Sequence, residues 1–469
     1  MQPVAARGIA TVVVVQAIVL TALSGRYGFH RDELYFRAAG KHLDWGYVDQ
    51  PPLTPVLARI FSFGDSPVSM RIVATLAGTA IVVVVALTAR EFGAGRAAQV
   101  FAAAATALSV FVLAVSHMLS TATIDTLLWT AFGLFVIRLL RTEDGRWWLA
   151  IGATVGLALT NKWLIPLLVL ALGASLVVVG PRRVLRSWWL AAGVVVALTM
   201  SAPIVIWQAA HDFPLLTVAG GISDADGTQN RVLFLPLQLI YLSPVLVPVA
   251  VAGFLALWRD RRYRAVALSY LLLCAVTFML GGKAYYPLPL LLLLLAAGVQ
   301  PAWQWAVRHR AMAGVAAVAA AVTSIVIALP VLPVNALAPA LALNAEQGEQ
   351  VGWREFAESV ARAHRQADAR SVIFTRNYGQ AGAIERYGPE LGLPQPFSGH
   401  MSYADWGPPP DNPDAQVVVV GRPPSVFTGC RSVVTHAAPI ANEEDGTQIW
   451  ICDPVAWSRV WPELRRFYS

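Results

Sequence analysis

Eleven apolar runs follow one another through the first 333 residues of the chain, roughly at 8–25, 68–89, 97–116, 121–140, 147–160, 163–180, 187–207, 233–257, 264–281, 286–304 and 311–333. Backbone placed in lipid finds no water to bond, so a run that crosses a bilayer must close its own hydrogen bonds as a helix. Composition agrees. Of 469 residues 57% are hydrophobic and 13% charged, with a mean hydropathy of +0.57, which excludes an ordinary soluble globular protein. The sequence predicts an α-helical polytopic membrane protein with about 11 transmembrane helices. No small-residue cleavage site follows the first run and further runs do, so it reads as a retained helix rather than a secretory signal.

The net charge of +7 suggests a nucleic-acid partner only until its distribution is considered. With a cytoplasmic N-terminus, the inward loops hold Arg90 and Arg96, Arg141 and Arg146, Arg182, Arg183 and Arg186, Arg259 through Arg264, and Arg308 and Arg310. Every arginine cluster between runs then lies inside, as the positive-inside rule requires. The charge is a topology signal, and no nucleic acid is implied. An odd number of crossings places the chain after Pro333 on the outer side. Three lysines, Lys41, Lys162 and Lys283, all fall on that outer face, where flexible ammonium groups suit a phosphate-bearing ligand; coincidence on one of two faces is the plain alternative.

The expected organisation is a membrane domain over 1–335 with a first external loop at 26–67, a linker at 336–350 and a small extracytoplasmic α/β domain over 351–469. In the last, Trp353 to Ala367 and Gln380 to Tyr387 read as helices, and Ser371 to Thr375, Val417 to Val420 and Gln448 to Cys452 as strands. Cys430 and Cys452 both lie in this external part and are candidates for a disulfide. No internal repeat is detectable, which weighs against a secondary transporter.

The first external loop carries His30-Arg31-Asp32-Glu33-Leu34-Tyr35 and Tyr47-Val48-Asp49-Gln50-Pro51-Pro52-Leu53. If Arg31 to Ala39 is a surface helix, neighbouring carboxylates point about 100° apart, so one of Asp32 and Glu33 addresses a reaction centre. Asp32 is the choice for a base and Glu33 for its orienter; the alternative is an acidic pair placed against a helix dipole. Asp125, at the outer end of the fourth run, is costly there without a partner or a role, although a water-facing interface residue is the bland reading. Asn161-Lys162-Trp163 and Gly281-Gly282-Lys283-Ala284-Tyr285-Tyr286-Pro287 form tight outer turns, each setting a lysine beside aromatics. Glycines before Lys283 let backbone amides approach an anion; Trp and Tyr belong at membrane interfaces in any case. Tyr378-Gly379-Gln380-Ala381-Gly382 and Ser398-Gly399-His400-Met401-Ser402-Tyr403 read as loops suited to sugar or headgroup recognition, or as ordinary surface loops. No metal-ligand spacing, nucleotide-binding glycine motif or Ser-His-Asp set stands in a credible context; a divalent metal requirement is left open and no other cofactor is implied.

The Asp-Glu pair, the Tyr-x-x-x-Pro-Pro-Leu element, the Asp opening a later span and the Gly-Lys-x-Tyr-Tyr turn together resemble glycosyltransferase family 39, the protein O-mannosyltransferase and lipid A aminoarabinose transferase relatives of the type C glycosyltransferase fold. The resemblance covers the membrane part and implies sugar transfer from a polyprenyl-phosphate donor on the outer face of a bacterial plasma membrane, without a nucleotide sugar. It implies Asp32 as the catalytic acid of the first loop, with Asp125 at the second acidic position. Lys162 and Lys283 stand where cations contact the lipid phosphate; Arg31, Tyr285 and Tyr286 are further candidates for binding the donor phosphate and its lipid. Tyr35, Asp49, Gln50, Tyr378, His400 and Tyr403 are candidates for acceptor or sugar contacts. Asp49-Gln50 departs from the Glu-Lys that aminoarabinose-transferase relatives carry before the prolines, and the acceptor stays open. Membrane lipids are implied partners. A lipid-linked sugar flippase would need a polar path through spans whose middles are mostly Ala, Val, Leu and Gly; a noncatalytic glycan-binding subunit is the third reading.

Overall fold

The computed structural model describes residues 2–64 and 66–467. The chain divides into two compact units, one of Met1–Ser24, Arg71–Asp212 and Ile222–Leu329, the other of Gly25–Met70, Phe213–Gly221 and Pro330–Ser469. In chain order the first fifteen helices are α1 (Ala6–Leu23), α2 (Arg31–Ala39), α3 (Leu53–Phe61), α4 (Val68–Glu91), α5 (Arg96–Ala107), α6 (Val110–His117), α7 (Thr121–Thr142), α8 (Trp147–Leu159), α9 (Ile165–Val178), α10 (Trp188–Ala210), α11 (Pro214–Leu242), α12 (Val247–Arg259), α13 (Arg264–Met279), α14 (Leu288–Arg308) and α15 (Arg310–Ala328).

Among the described residues six of these, α1, α4, α7, α10, α14 and α15, are long and apolar enough to cross a membrane, and up to eight spans result if each bent pair counts as one. The eleven apolar runs of the sequence correspond to these six helices, the two bent pairs and three shorter apolar helices. The run at 97–116 breaks between α5 and α6 with a 62° bend, and the run at 233–257 bends by 82° where α11 ends. Pro244, lacking an N–H, starts a short 3-10 turn there, and Ser109 Oγ at the first break donates to the Tyr241 carbonyl oxygen beside the second at 2.8 Å. The runs at 147–160, 163–180 and 264–281 fold as helices of 13, 14 and 16 residues. At 1.5 Å per residue each falls short of a hydrocarbon core about 30 Å thick.

Small residues let these helices close. A Cβ on Gly152 of α8 would lie 2.0 Å from the Gly193 carbonyl oxygen of α10, and one on Gly253 of α12 would lie 1.8 Å from the Leu294 carbonyl oxygen of α14. Backbone-to-backbone approach of this kind is how apolar helices associate where lipid removes the hydrophobic drive.

The second unit holds a five-stranded sheet. Its strands are β1 (Val372–Thr375), β2 (Pro396–Ser398), β3 (Val417–Val420), β4 (Arg431–Thr435) and β5 (Gln448–Cys452), in the order β2-β1-β3-β5-β4. β1 pairs in parallel with β2 and β3, while β5 runs antiparallel to β3 and β4. β3, four buried valines, is the continuous apolar run expected of a strand covered on both faces. The sheet's helices are α16 (Ala338–Leu341), α17 (Trp353–His364), α18 (Tyr378–Tyr387) and α19 (Trp457–Leu464). Trp457 and Leu464 of α19 join Phe374, Val417, Val419 and Phe427 in one buried cluster, and Cys430 packs against it bonded to Cys452. Residues 336–350, read above as a linker, contain α16 and a 3-10 turn and bury Leu337, Ala340, Gln347 and Glu349 within this unit. Strands β2 and β4 had no signal in the sequence reading: β2 is three residues long and starts at a proline.

Candidate functional site

In the first unit, candidate residues converge at the start of α7. Ser120 caps this helix, its Oγ accepting from the Thr123 amide at 3.2 Å. Asn161, fully buried, donates from Nδ2 to the Thr121 carbonyl oxygen at 2.8 Å. That bond ties the α8–α9 turn to α7 and fixes Lys162 within electrostatic reach of Asp125, one turn into the helix. Asp125 is 8% exposed, and its Oδ1 has no hydrogen-bond partner among the described residues.

Lys162 Nζ donates to Tyr285 Oη at 3.1 Å and lies 5.1 Å and 5.4 Å from the ring centroids of Tyr285 and Tyr286. The tyrosines meet edge to face, and Tyr285 stacks on Phe111 at 5.2 Å. Their turn is pinned from α11. Asn230 Nδ2 donates to the Gly281 carbonyl oxygen at 2.8 Å, and Arg231 donates to those of Phe278 and Met279 at 3.2 Å and 3.0 Å. Gly281 sits at φ +66, and a Cβ there would meet Gly227 Cα at 2.9 Å. Lys283 is half-buried and closes the turn, its carbonyl oxygen accepting from the Tyr286 amide at 3.2 Å. The Lys162 ammonium thus lies against two aromatic faces and within electrostatic reach of a buried carboxylate.

In the second unit, α2 opens with a capping box. His30 Nδ1 accepts from the Asp32 amide at 3.1 Å, and Glu33 Oε2 accepts from the His30 amide at 2.9 Å. Glu33 is thus buried in the cap. Asp32 is half-buried, and its Oδ1 accepts from Tyr378 Oη at 2.9 Å. Tyr378 stacks on His400 at 5.3 Å and meets the Tyr35 ring at a tilt, with centroids 4.7 Å apart. Tyr35 Oη donates to Asp49 Oδ1 at 2.7 Å, and burial pushes the Asp49 carboxyl up to about 6 against the pull of that bond.

Arg31 is already engaged. Its Nη1 is bonded to Glu443, lies 3.6 Å from Glu349, and its guanidinium stands over the Tyr378 ring at 5.7 Å. Burial raises Glu349 to about 7, outweighing Arg31. Lys41 pairs with Glu385, whose other oxygen accepts from Tyr403 Oη at 3.1 Å. Gln50 is 4% exposed, and neither end of its amide has a partner among the described residues. None of the acids Glu349, Glu385 and Glu443 carried a sequence signal; each lies far along the chain from the cation it meets.

The segment Tyr378 to Gly382 is the first turns of α18, not a recognition loop. Asn377 caps it, accepting from the Gln380 amide at 2.8 Å, and its glycines make room for α2: a Cβ on Gly379 would be 2.5 Å from Arg31 Cγ, and one on Gly382 2.9 Å from Leu34 Cβ. Ser398 to Tyr403 is likewise internal, with His400, Ser402 and Tyr403 buried. His400 Nδ1 accepts from the Tyr378 amide at 3.3 Å, and burial, followed by Arg466, Arg31 and Arg376, holds the imidazole down to about 3. Among the described residues no three of His, Cys, Asp and Glu approach closely enough to hold a metal ion.

Residues 49–207, which include both Asp125 and Lys162, match the family described as dolichyl-phosphate-mannose-protein mannosyltransferase. Two solved structures share the fold over nearly the whole chain. ArnT from Cupriavidus metallidurans in the apo state is 15% identical, with 95% of this chain and 98% of that one covered at a TM-score of 0.58. The same protein bound to undecaprenyl phosphate is 17% identical, covering 94% and 97% at 0.55. Among curated proteins none matches the sequence. The resemblance to family 39 and the type C glycosyltransferase fold read from the sequence is borne out.

Proposed function

We propose that this chain, a family 39-like membrane glycosyltransferase, moves a sugar from a polyprenyl-phosphate carrier to a hydroxyl of a cell-envelope acceptor. The observation that carries this reading is Lys162. Its ammonium is set on two tyrosine faces and bonded, among the described residues, only to Tyr285 Oη, leaving two N–H donors for a phosphate. Undecaprenyl phosphate in the related ArnT structure supports the same class of donor here.

In this mechanism Lys162, aided by Lys283, holds the carrier phosphate and stabilises the charge it gains as leaving group. Asp32, oriented through Oδ1 by Tyr378, accepts the acceptor hydroxyl proton. The hydroxyl oxygen bonds to the anomeric carbon as the carbon–oxygen bond to phosphate breaks, and polyprenyl phosphate departs. Attack from the face opposite the phosphate inverts the anomeric centre. Asp125 keeps the lysine's surroundings acidic and is the second carboxylate of the reaction. Arg31, neutralised by Glu443 and Glu349, orders the α2–α18 contact rather than gripping phosphate.

The chemistry belongs on the outer face of a bacterial plasma membrane, with the N-terminus cytoplasmic. The Cys430–Cys452 disulfide supports an oxidising compartment for the second unit. The deciding experiment supplies purified protein in lipid discs with a radiolabelled polyprenyl-phosphate sugar and an envelope glycolipid extract. Label passing to an extract component, with release of free polyprenyl phosphate, is the expected result. A donor that stays intact in every extract, or label released equally by the Asp32→Asn variant, would overturn the reading.

A further inference from the structure

The parallel strands β1 and β3 end level with one another, Thr375 opposite Val420. After β1 the chain enters α18 and crosses to β2 on one flank, whereas β3 lies on the other flank of β1. The order of strands reverses there, and connections leaving to opposite sides open a crevice beyond the carboxyl ends of the strands, where open α/β sheets bind ligands. A cavity of about 340 Å³ occupies that place, lined by Arg376, Arg422 and Arg466 with Phe374, Val419 and Leu464. A second, of about 520 Å³, shares Arg376 and Arg422 but is also lined by Glu443 and Glu444, so the cationic crevice is the smaller one.

The three arginines are built in from separate directions. Arg376 follows β1, Arg422 follows β3, and Arg466 is seated by main-chain bonds, its amide donating to the Gly399 carbonyl oxygen at 2.7 Å and its carbonyl oxygen accepting from Met401 at 2.9 Å. Gly399 permits this, since a Cβ there would lie 2.0 Å from the Leu464 carbonyl oxygen. Gly421, at φ +91, passes so near Arg376 that a Cβ would come within 3.2 Å of the Arg376 Cβ.

Elsewhere in this unit Arg31, Arg354, Arg386 and Arg465 each have a carboxylate partner. Among the described residues Arg376, Arg422 and Arg466 have none within 4.0 Å, and Glu463 is the single acidic residue in the wall of the smaller cavity. Arg466 instead reaches the Arg376 carbonyl oxygen. Arg466 is also pulled below its usual range by burial and then by Arg376. A cluster of like charges held together by the backbone is relieved by a bound anion.

We propose that this crevice binds a phosphate monoester carried on a body the size of one sugar ring. Guanidinium forks match phosphate oxygens in pairs, the apolar floor of Phe374, Val419 and Leu464 takes a ring face, and the volume is at the small end for ligand pockets. The phosphate comes from a soluble sugar phosphate or from a lipid headgroup. The site is independent of the transfer reaction proposed above.

The test titrates full-length protein in zwitterionic lipid discs with inorganic phosphate, glucose 6-phosphate and glucose by calorimetry. Glucose 6-phosphate should bind and glucose should not. Arg422→Gln should weaken binding about tenfold, and Arg376→Gln with Arg422→Gln further. Arg422 is exposed and makes no hydrogen bond among those described, so its loss leaves the fold intact. Lys162→Met should keep the wild-type affinity, which separates this site from the donor site. Repeating the titration in discs containing phosphatidic acid assigns the source: lowered apparent affinity means that the headgroup competes, and unchanged affinity means that the ligand is soluble. Absence of binding by either phosphate in both kinds of disc, equal affinity in wild type and the arginine variants, or loss in Lys162→Met alone would overturn the proposal.

Discussion

Lys162→Met is the sharpest perturbation of the proposed donor grip, because it removes one charge and nearly keeps the side-chain volume between the two tyrosines. At about 3 Å and an effective dielectric near 20, an ammonium attracts a singly charged phosphate by about 5 kcal/mol. Desolvation returns much of this, and hydrogen bonds to charged groups net about 1.5–3 kcal/mol. At about 1.4 kcal/mol per decade, the donor Kd should rise roughly 10- to 150-fold. Turnover should fall as well, since the phosphate gains charge as the glycosidic bond breaks and the lost contact is stronger in the transition state than in the ground state. Lys162→Arg keeps the charge and should recover part of both. Lys41→Met is the control: Lys41 is bonded to Glu385 and is 45% exposed at its side chain, so its pair contributes about 0–1 kcal/mol to stability and nothing to the donor. Donor titration and single-turnover transfer in lipid discs separate the two effects. Unchanged Kd and turnover in Lys162→Met would show that the tyrosine-faced ammonium is an interface ornament and that phosphate is held elsewhere.

Asp32→Asn should cut transfer by about 10²–10⁴ with donor affinity kept, while Glu33→Ala should chiefly cost about 1 kcal/mol of α2 stability through the lost cap; near-normal transfer by Asp32→Asn would reassign the base. His400, held down to about 3, stays neutral when folded while the unfolded chain protonates it near 6.5, so stability is full above that pH and declines below it, by about 2 kcal/mol at pH 5. Thermal unfolding of wild type and His400→Gln across pH 7 to 5 checks this, and parallel curves would refute it. Replacing Cys430 and Cys452 together by serine opens a loop spanning a separation of 22 residues and should lower the stability of the second unit by about 3 kcal/mol, followed by chemical denaturation with limited proteolysis of the second unit as the readout.

Local periodicity made most elements legible. Val417 to Val420 and Gln448 to Cys452 stand in the structure where their short apolar runs put them, because strands paired on both sides and covered by other elements are largely apolar. Helix bends were not legible: the Ser109 hydroxyl at the first break bonds the Tyr241 carbonyl oxygen beside the second, 132 residues away, and no short window of sequence contains both. The candidate site hid for the same reason. Asp32 meets Tyr378 across 346 residues and Arg31 meets Glu443 across 412, so the partners that orient the carboxylate and neutralise the arginine are products of tertiary packing. Glycines misled most directly. Gly379 and Gly382 look like loop punctuation, yet they sit inside α18 as the small surface on which Arg31 and Leu34 rest.

The acidic pair at the head of α2 shows how packing resolves what spacing leaves balanced. From the sequence, Asp32 and Glu33 were either a pair at a helix N-terminus or a base with its orienter. The structure gives the two carboxylates different partners. Glu33 lies at the third helical position, the one whose side chain can reach back to the His30 amide, and does so while fully buried. Asp32, one residue earlier and about 100° around the helix, cannot make that bond, and its carboxylate turns instead to the Tyr378 hydroxyl, with Oδ2 left without a hydrogen-bond partner among the described residues. A carboxylate fixed through one oxygen and open at the other is what a base needs in order to take a proton from a defined direction. Exchanging the two side chains, Asp32→Glu with Glu33→Asp, should therefore fail even though composition and charge are unchanged, since the shorter acid no longer reaches the cap and the longer one no longer meets Tyr378 in the same place.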